Sequence, residues 1–275
     1  MLTDYHVHLR PDEDGTEAER YFTSANAERY RETAAERGID ELGVAEHLHR
    51  FVQALDVWTH PFWRRWAHDD LDYYCQFVRE QTDLRLGIEA DFVPGREDRM
   101  ANLLDERDWD YVVGSIHFLG DQALDMRGEF DIWRSGDPDK VWARYFGTLG
   151  EAARSGLFDV LAHPDLVKVW GSGSPAPEGD LRRFYELALD GIAESGVAIE
   201  VSTAGLRKPA GEIYPARGFL ELCLEAGSPV ALSSDAHVPE QLGHEYERAV
   251  DWLRDAGARE LAVFERRERR LEPLG

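Results

Sequence analysis

The chain has 275 residues, 43% of them hydrophobic, and includes 8 Trp, 10 Tyr and 12 Phe. That much apolar material excludes global disorder and suits one large α/β domain over residues 1–275. A net charge of −23, from 54 acidic against 31 basic residues, argues against a nucleic-acid partner or an anionic membrane surface.

In chain order, the first apolar run, residues 3–7, carries His6 and leads to His8, which strand alternation puts on the same face. An amphipathic stretch, 25–37, closes at Gly38, and the run 42–45 follows, ending in Glu46-His47. Residues 51–70 are polar and aromatic with poor periodicity, so they read as a long loop. The run 84–90 contains Glu89, and the run 111–116 ends at His117. Residues 120–138 read as a second long loop. Helix 139–154, closed by Gly156, leads to the run 159–162 and to His163-Pro164-Asp165. After a loop at 171–177 and a helix over 180–195, the run 197–201 carries Glu200 and is followed by Ser202. Helix 218–226, closed by Gly227, precedes the run 230–233 and Asp235-Ala236-His237. Helix 241–256 leads to an eighth apolar run, 260–264.

Strands alternating with helices mean parallel pairing, because each helix supplies the crossover. Seven or eight such units predict a closed or nearly closed barrel, with a doubly wound open sheet as the alternative. In a barrel the carboxyl ends of the strands share one rim. Six histidines (His6, His8, His47, His117, His163 and His237) and the carboxylates Glu89 and Asp235 fall at or near those ends. Packing accounts for one buried histidine but not for a matched set. Imidazole with carboxylate and no thiolate suits zinc, manganese or iron. The donors outnumber what one tetrahedral ion uses, so at least two ions are expected. Metal pairs about 3.5–4 Å apart are the usual machinery for hydrolysing phosphate esters. His49, His60, His68 and His244 fall outside the pattern, and of these His49 and His60 are within reach of a substrate from the 51–70 loop. Cys75 and Cys223 form no metal motif and read as reduced thiols. The amino terminus lacks a signal peptide, and no apolar run approaches the roughly 20 residues that span a bilayer. A soluble, cytoplasmic protein is expected, with the oligomeric state open.

The ordered motifs Asp4-Tyr5-His6-Val7-His8, Glu46-His47, Gly87-Ile88-Glu89, Gly114-Ser115-Ile116-His117-Phe118, Ala162-His163-Pro164-Asp165 and Ser234-Asp235-Ala236-His237 resemble those of the polymerase and histidinol phosphatase (PHP) superfamily. The resemblance covers effectively the whole chain. Within the superfamily, the stretch from Glu200 to Lys208 with Glu212-Ile213-Tyr214-Pro215 resembles the histidinol-phosphate phosphatases. This implies a distorted (β/α)7 barrel with a trinuclear metal centre on its C-terminal rim. It also implies a hydrolase that converts L-histidinol phosphate to L-histidinol and phosphate in histidine biosynthesis. A PHP-type phosphoesterase acting on nucleotides or another small phosphate ester is the alternative.

Carried over by position, the resemblance gives one ion His6, His8, Glu89 and Asp235. A second shares Glu89 and adds His117 and His163. The third takes His47, His237 and Asp14, with Asp12 and Glu13 as competitors for that last place. Glu46 is expected to orient a ligand histidine. Arg207, Lys208, Lys168 and Ser115 are the candidate substrate contacts, and Asp165, Asp235 and His237 the candidate proton donors to the leaving alcohol. Acidic or aromatic groups from residues 51–70 are expected around the cationic part of the substrate.

Overall fold

The computed structural model describes residues 1–275. Seven parallel strands form one sheet: β1 (Thr3–Asp4), β2 (Glu41–His47), β3 (Arg85–Asp91), β4 (Tyr111–Ser115), β7 (Val160–Leu161), β8 (Ala198–Ser202) and β9 (Val230–Ser233). A two-residue hairpin, β5 (Phe118–Leu119) with β6 (Gln122–Ala123), follows β4 on the rim. Neighbours in the large sheet are consecutive along the chain apart from that hairpin, which is barrel order; an open doubly wound sheet would reverse direction at a switch point. The sheet nearly closes where β9 meets β1. There Val7 and Ala236 form a single parallel bridge, and the Ser234 N–H donates to the Asp4 carboxylate at 3.1 Å.

The crossover helices wrap the outside: α2 (Ser24–Glu36), α4 (Leu71–Gln81), α5 (Glu97–Asp105), α6 (Pro138–Arg154), α7 (Arg182–Ser195), α8 (Arg217–Glu225) and α9 (Tyr246–Ala256), with the short α1 (Ala18–Tyr21) and α3 (Pro61–Trp66) on the rim. Their starts follow side-chain chemistry. Thr23, Asp70 and Asp137 each accept a backbone N–H at the beginning of α2, α4 and α6, satisfying donors that the first turn leaves free.

The barrel interior is a separate apolar cluster containing Tyr5, Tyr111, Val113, Val160 and Phe264. Tyr111 reaches across it and donates its hydroxyl to the Val44 carbonyl at 3.0 Å. Its hydroxyl comes within 2.4 Å of where a Cβ at Gly43 would stand, and its ring within 2.3 Å of one at Gly87. These two positions therefore have room only for glycine.

One open alternative is resolved and one expectation needs correcting. The eighth apolar run is not a barrel strand: β10 (Glu260–Glu265) pairs antiparallel with β11 (Glu268–Pro273), and its Ala262, Val263 and Phe264 join the interior cluster. Residues 51–70 are not simply loop either. They contain a 3-10 turn, Val52–Asp56, and α3, begun by Pro61 and capped by His60, whose Nδ1 accepts the Phe62 N–H at 3.2 Å.

Candidate metal centre

The first strand extends past β1 through His6 and His8, and the His8 N–H donates to the Ala236 carbonyl at 2.8 Å, tying that end to the turn after β9. His6 donates from Nδ1 to Glu200 Oε1 on β8 at 2.8 Å, which leaves Nε2 as the free nitrogen. That nitrogen lies 3.3 Å from Glu89 Oε2 and 3.7 Å from Asp235 Oδ1; His8 Nε2 lies 3.7 and 3.4 Å from the same two oxygens. These four side chains form one group.

Glu89, near the end of β3, faces a second group with its other oxygen. Oε1 is 3.3 Å from His163 Nε2 and 3.6 Å from His117 Nε2. His117 is oriented by Asp91, whose Oδ1 accepts from its Nδ1 at 2.8 Å and from its backbone N–H at 3.1 Å.

In the third group the Nε2 atoms of His47 and His237 are 3.4 Å apart, and His47 Nδ1 is 2.5 Å from Glu89 Oε2. The His8 ring stacks against both, with centroids 4.2 Å away in each case. His163 (φ 26°) and Asp235 (φ 50°) both take left-handed backbone conformations, which side-chain-bearing residues adopt at a cost usually met only at functional sites.

The electrostatics suit cations. Burial raises the Glu89 pKa, but His47, His6 and His117 outweigh it and hold the carboxyl well below its usual range. Burial, with the neighbouring charges of His47 and His237, pushes His8 well below the ordinary histidine value, favouring the neutral imidazole that a metal binds.

The decisive feature is what lacks a partner. His6 Nε2, His8 Nε2 and Asp235 Oδ1 are buried beside Glu89 Oε2 and converge without making a hydrogen bond. Each buried polar atom left this way costs about 1–3 kcal/mol, so together they fit a divalent ion with nitrogen and oxygen ligands.

Above the cluster is a cavity of about 460 Å³ lined by His117, Asp125, Trp170, Arg207, Lys208 and Tyr214, among others. Arg207 donates from one terminal nitrogen to the Ser234 and Asp235 carbonyls at 2.8 and 2.9 Å, while the other terminal nitrogen is buried and unpartnered.

Several expected residues are elsewhere. Lys168 does not line the cavity: its ammonium is held by Asp165 at 2.9 Å, Glu212 at 3.0 Å and the Ile213 carbonyl at 3.1 Å. Asp165 is off the wall too: its Oδ2 is held by Lys168 and by the Ala216 N–H at 2.7 Å, and its Oδ1 is buried without a partner. Ser115 is buried beneath the rim and off the cavity wall. Asp12, Glu13 and Asp14 are all exposed, but only Asp12 and Glu13 line the cavity. Arg50, missed in the sequence, grips the Asp12 carboxylate at 2.7 Å. Burial works against ionisation of Asp12, but His47, His237 and Arg50 outweigh it and depress its pKa.

Glu46 holds none of the clustered histidines. It accepts the Leu9 N–H at 2.7 Å and the Arg10 Nε–H at 3.0 Å, and the carboxylates that hold histidine rings are Glu200 and Asp91. No residue of 51–70 reaches the cavity. His60 caps α3, and His49 is buried against the His47 ring at 4.9 Å.

A family model described as PHP domain matches residues 19–204. A Deinococcus radiodurans protein named "Probable histidinol-phosphatase" is 35% identical over 251 residues, 89% of this chain and 91% of that one. Bacillus subtilis histidinol-phosphatase is 24% identical over 245 residues, 81% and 91% of the two chains. Among solved structures, the histidinol phosphate phosphatase of Lactococcus lactis complexed with zinc, L-histidinol and phosphate superposes with a TM-score of 0.74 over 98% of both chains, at 18% identity.

Proposed function

The chain belongs to the PHP domain family, and from that premise we propose that it is a metal-dependent phosphomonoesterase hydrolysing L-histidinol phosphate to L-histidinol and phosphate. The observation that carries this reading is the unpartnered nitrogen and oxygen cluster opening into the same cavity as Arg207 and Lys208. The relatives' names point to the same substrate. A small phosphate ester as partner agrees with the acidic composition, which disfavours long polyanions. No helix is long and apolar enough to cross a membrane, and with Cys75 and Cys223 both free the cytoplasm is the proposed compartment.

We assign His6, His8, Glu89 and Asp235 to one ion, and Glu89, His117 and His163 to a second. His47, His237 and Asp12 go to a third. The ions are zinc, manganese or iron. Bound divalent cations supply the positive charge that a phosphate dianion needs and make water a nucleophile at neutral pH. The chain's own residues do the rest. Glu200 and Asp91 fix the rings of His6 and His117. Arg207 presents its unpartnered nitrogen to a phosphate oxygen, and Lys208 adds a second positive charge on the same wall. Of the proposed proton donors to the leaving alcohol, Asp235 and His237 remain on that wall once Asp165 is set aside.

Two tests arise here. Phosphate release from L-histidinol phosphate should cease when the protein is stripped by a chelator and return on adding zinc or manganese; release unaffected by complete stripping would overturn the reading. Asp12→Ala should lose about one equivalent of bound metal by elemental analysis and at least about tenfold in activity, while Asp14→Ala keeps both. The reverse pattern would return the third ion to Asp14.

A further inference from the structure

The aspartate assigned to the third ion is held by a single arginine. Asp12 is exposed, and its carboxylate accepts one hydrogen bond, from Arg50 Nη2 to Oδ1 at 2.7 Å. Arg50 closes the 3-10 turn Leu48–Arg50 that follows His47, and its side chain is buried. Its terminal nitrogens reach only the segment 11–16. Nη2 also donates to the Pro11 carbonyl at 3.3 Å. Nη1 donates at 3.1 Å to Thr16 Oγ1, which in turn donates to the Glu13 carbonyl at 2.8 Å. Arg50 is itself fixed from behind. Its guanidinium lies 4.9 Å from the Trp66 ring centroid, and its carbonyl accepts the His68 and Asp69 N–H groups at 3.0 Å each. A second buried arginine, Arg10, donates to the Thr16 carbonyl at 3.1 Å and to Glu46 at 3.0 Å, so the far end of the segment is tied down as well.

We infer that Arg50 is the positioning residue of the third ion: it takes Oδ1 of Asp12 and leaves the other oxygen for the ion that His47 and His237 share. This rests on the proposed three-ion assignment. An exposed aspartate on a loop has several rotamers open to it, and binding an ion costs the freedom among them. A buried guanidinium removes that freedom beforehand. Its planar fork meets three points of one short segment, which a lone ammonium cannot do. Burying the guanidinium charge is in turn costly unless its partners are in place, so clamp and carboxylate hold each other. Within the acidic run after Arg10, the clamp selects Asp12.

The test is a zinc titration against a competing chelator, with the Tm of each metal-free protein alongside. It compares the wild type with Arg50→Gln, Arg50→Lys, Asp12→Ala and the double variant Arg50→Gln/Asp12→Ala. The wild type should bind three equivalents. Arg50→Gln should weaken the last of them by about 10–100-fold, the usual effect of removing a residue that holds a metal ligand, and leave the other two unchanged. Arg50→Lys, which keeps the charge but not the fork, should fall between. The double variant should bind no more weakly than Asp12→Ala, since Arg50 acts only through that carboxylate. Wild-type affinity at all three sites in Arg50→Gln, even with a lowered Tm, overturns the positioning role. Equal weakening of all three sites, or an additive loss in the double variant, does the same. If Arg50→Gln fails to fold, Arg50→Lys decides, and full affinity there overturns the role of the fork. An Asp12→Ala variant that keeps three equivalents, or a wild type that binds only two, overturns the third-site assignment and the clamp with it.

Discussion

Glu89→Gln is expected to reduce turnover of L-histidinol phosphate by on the order of 10³-fold or more, roughly 4 kcal/mol of transition-state stabilisation. It should also remove more than one equivalent of metal. The reason is geometric. Glu89 is the one carboxylate facing all three histidine groups, with Oε1 toward His117 and His163 and Oε2 toward His6, His8 and His47. An amide keeps the shape but loses the negative charge and one acceptor oxygen. The change therefore weakens ion binding on two sides at once, whereas His117→Ala weakens it on one. Elemental analysis of the variant beside His117→Ala separates the cases. Normal metal content in Glu89→Gln would remove the bridging role.

Arg207→Ala should raise KM for L-histidinol phosphate by about tenfold or more, the loss of one charge-assisted contact worth about 1.5–3 kcal/mol. The inhibition constant of inorganic phosphate should rise in parallel. The structure adds a second consequence. Because Arg207 also holds the Ser234 and Asp235 carbonyls, at the point where Asp235 takes a φ of 50°, kcat should fall as well. Arg207→Lys should recover only part of the loss, since one ammonium cannot grip two carbonyls and a phosphate oxygen in the fixed fork of a guanidinium. Unchanged KM and unchanged phosphate inhibition in Arg207→Ala would show that the free nitrogen serves some other purpose.

The gathering of the rim histidines was legible in the sequence because their placement is local. Each sits at the end of an apolar run, and parallel order gathers those ends on one rim whatever the details of packing. Contacts between distant segments were not legible in the same way. Glu46 stands beside His47 in sequence, yet alternation turns it to the other side of β2, where Leu9 and Arg10 meet it. The orienting carboxylates come instead from Asp91, two residues beyond Glu89, and from Glu200 on a strand 194 residues from His6. Within the acidic run after Arg10, composition cannot distinguish Asp12 from Asp14; the distinction depends on Arg50, 38 residues away from Asp12.

Residues 51–70 misled for a different reason. An aromatic, polar stretch without clear periodicity resembles a site wall, but Phe62 and Trp66 lie one helical turn apart on α3 and pack together, at 5.9 Å between ring centroids. Lys168 illustrates the same limit for charge. Proximity to a strand end does not make a lysine a phosphate ligand when two carboxylates already hold it.

The most direct measurement is kcat/KM of the purified, metal-loaded protein on L-histidinol phosphate beside a generic aryl phosphate and a short oligonucleotide. A site built for L-histidinol phosphate, with the proposed phosphate contact at Arg207, predicts that ester ahead of the aryl ester by on the order of 10²-fold, and no cleavage of the oligonucleotide. Equal turnover of the two monoesters, or preference for the oligonucleotide, would contradict it.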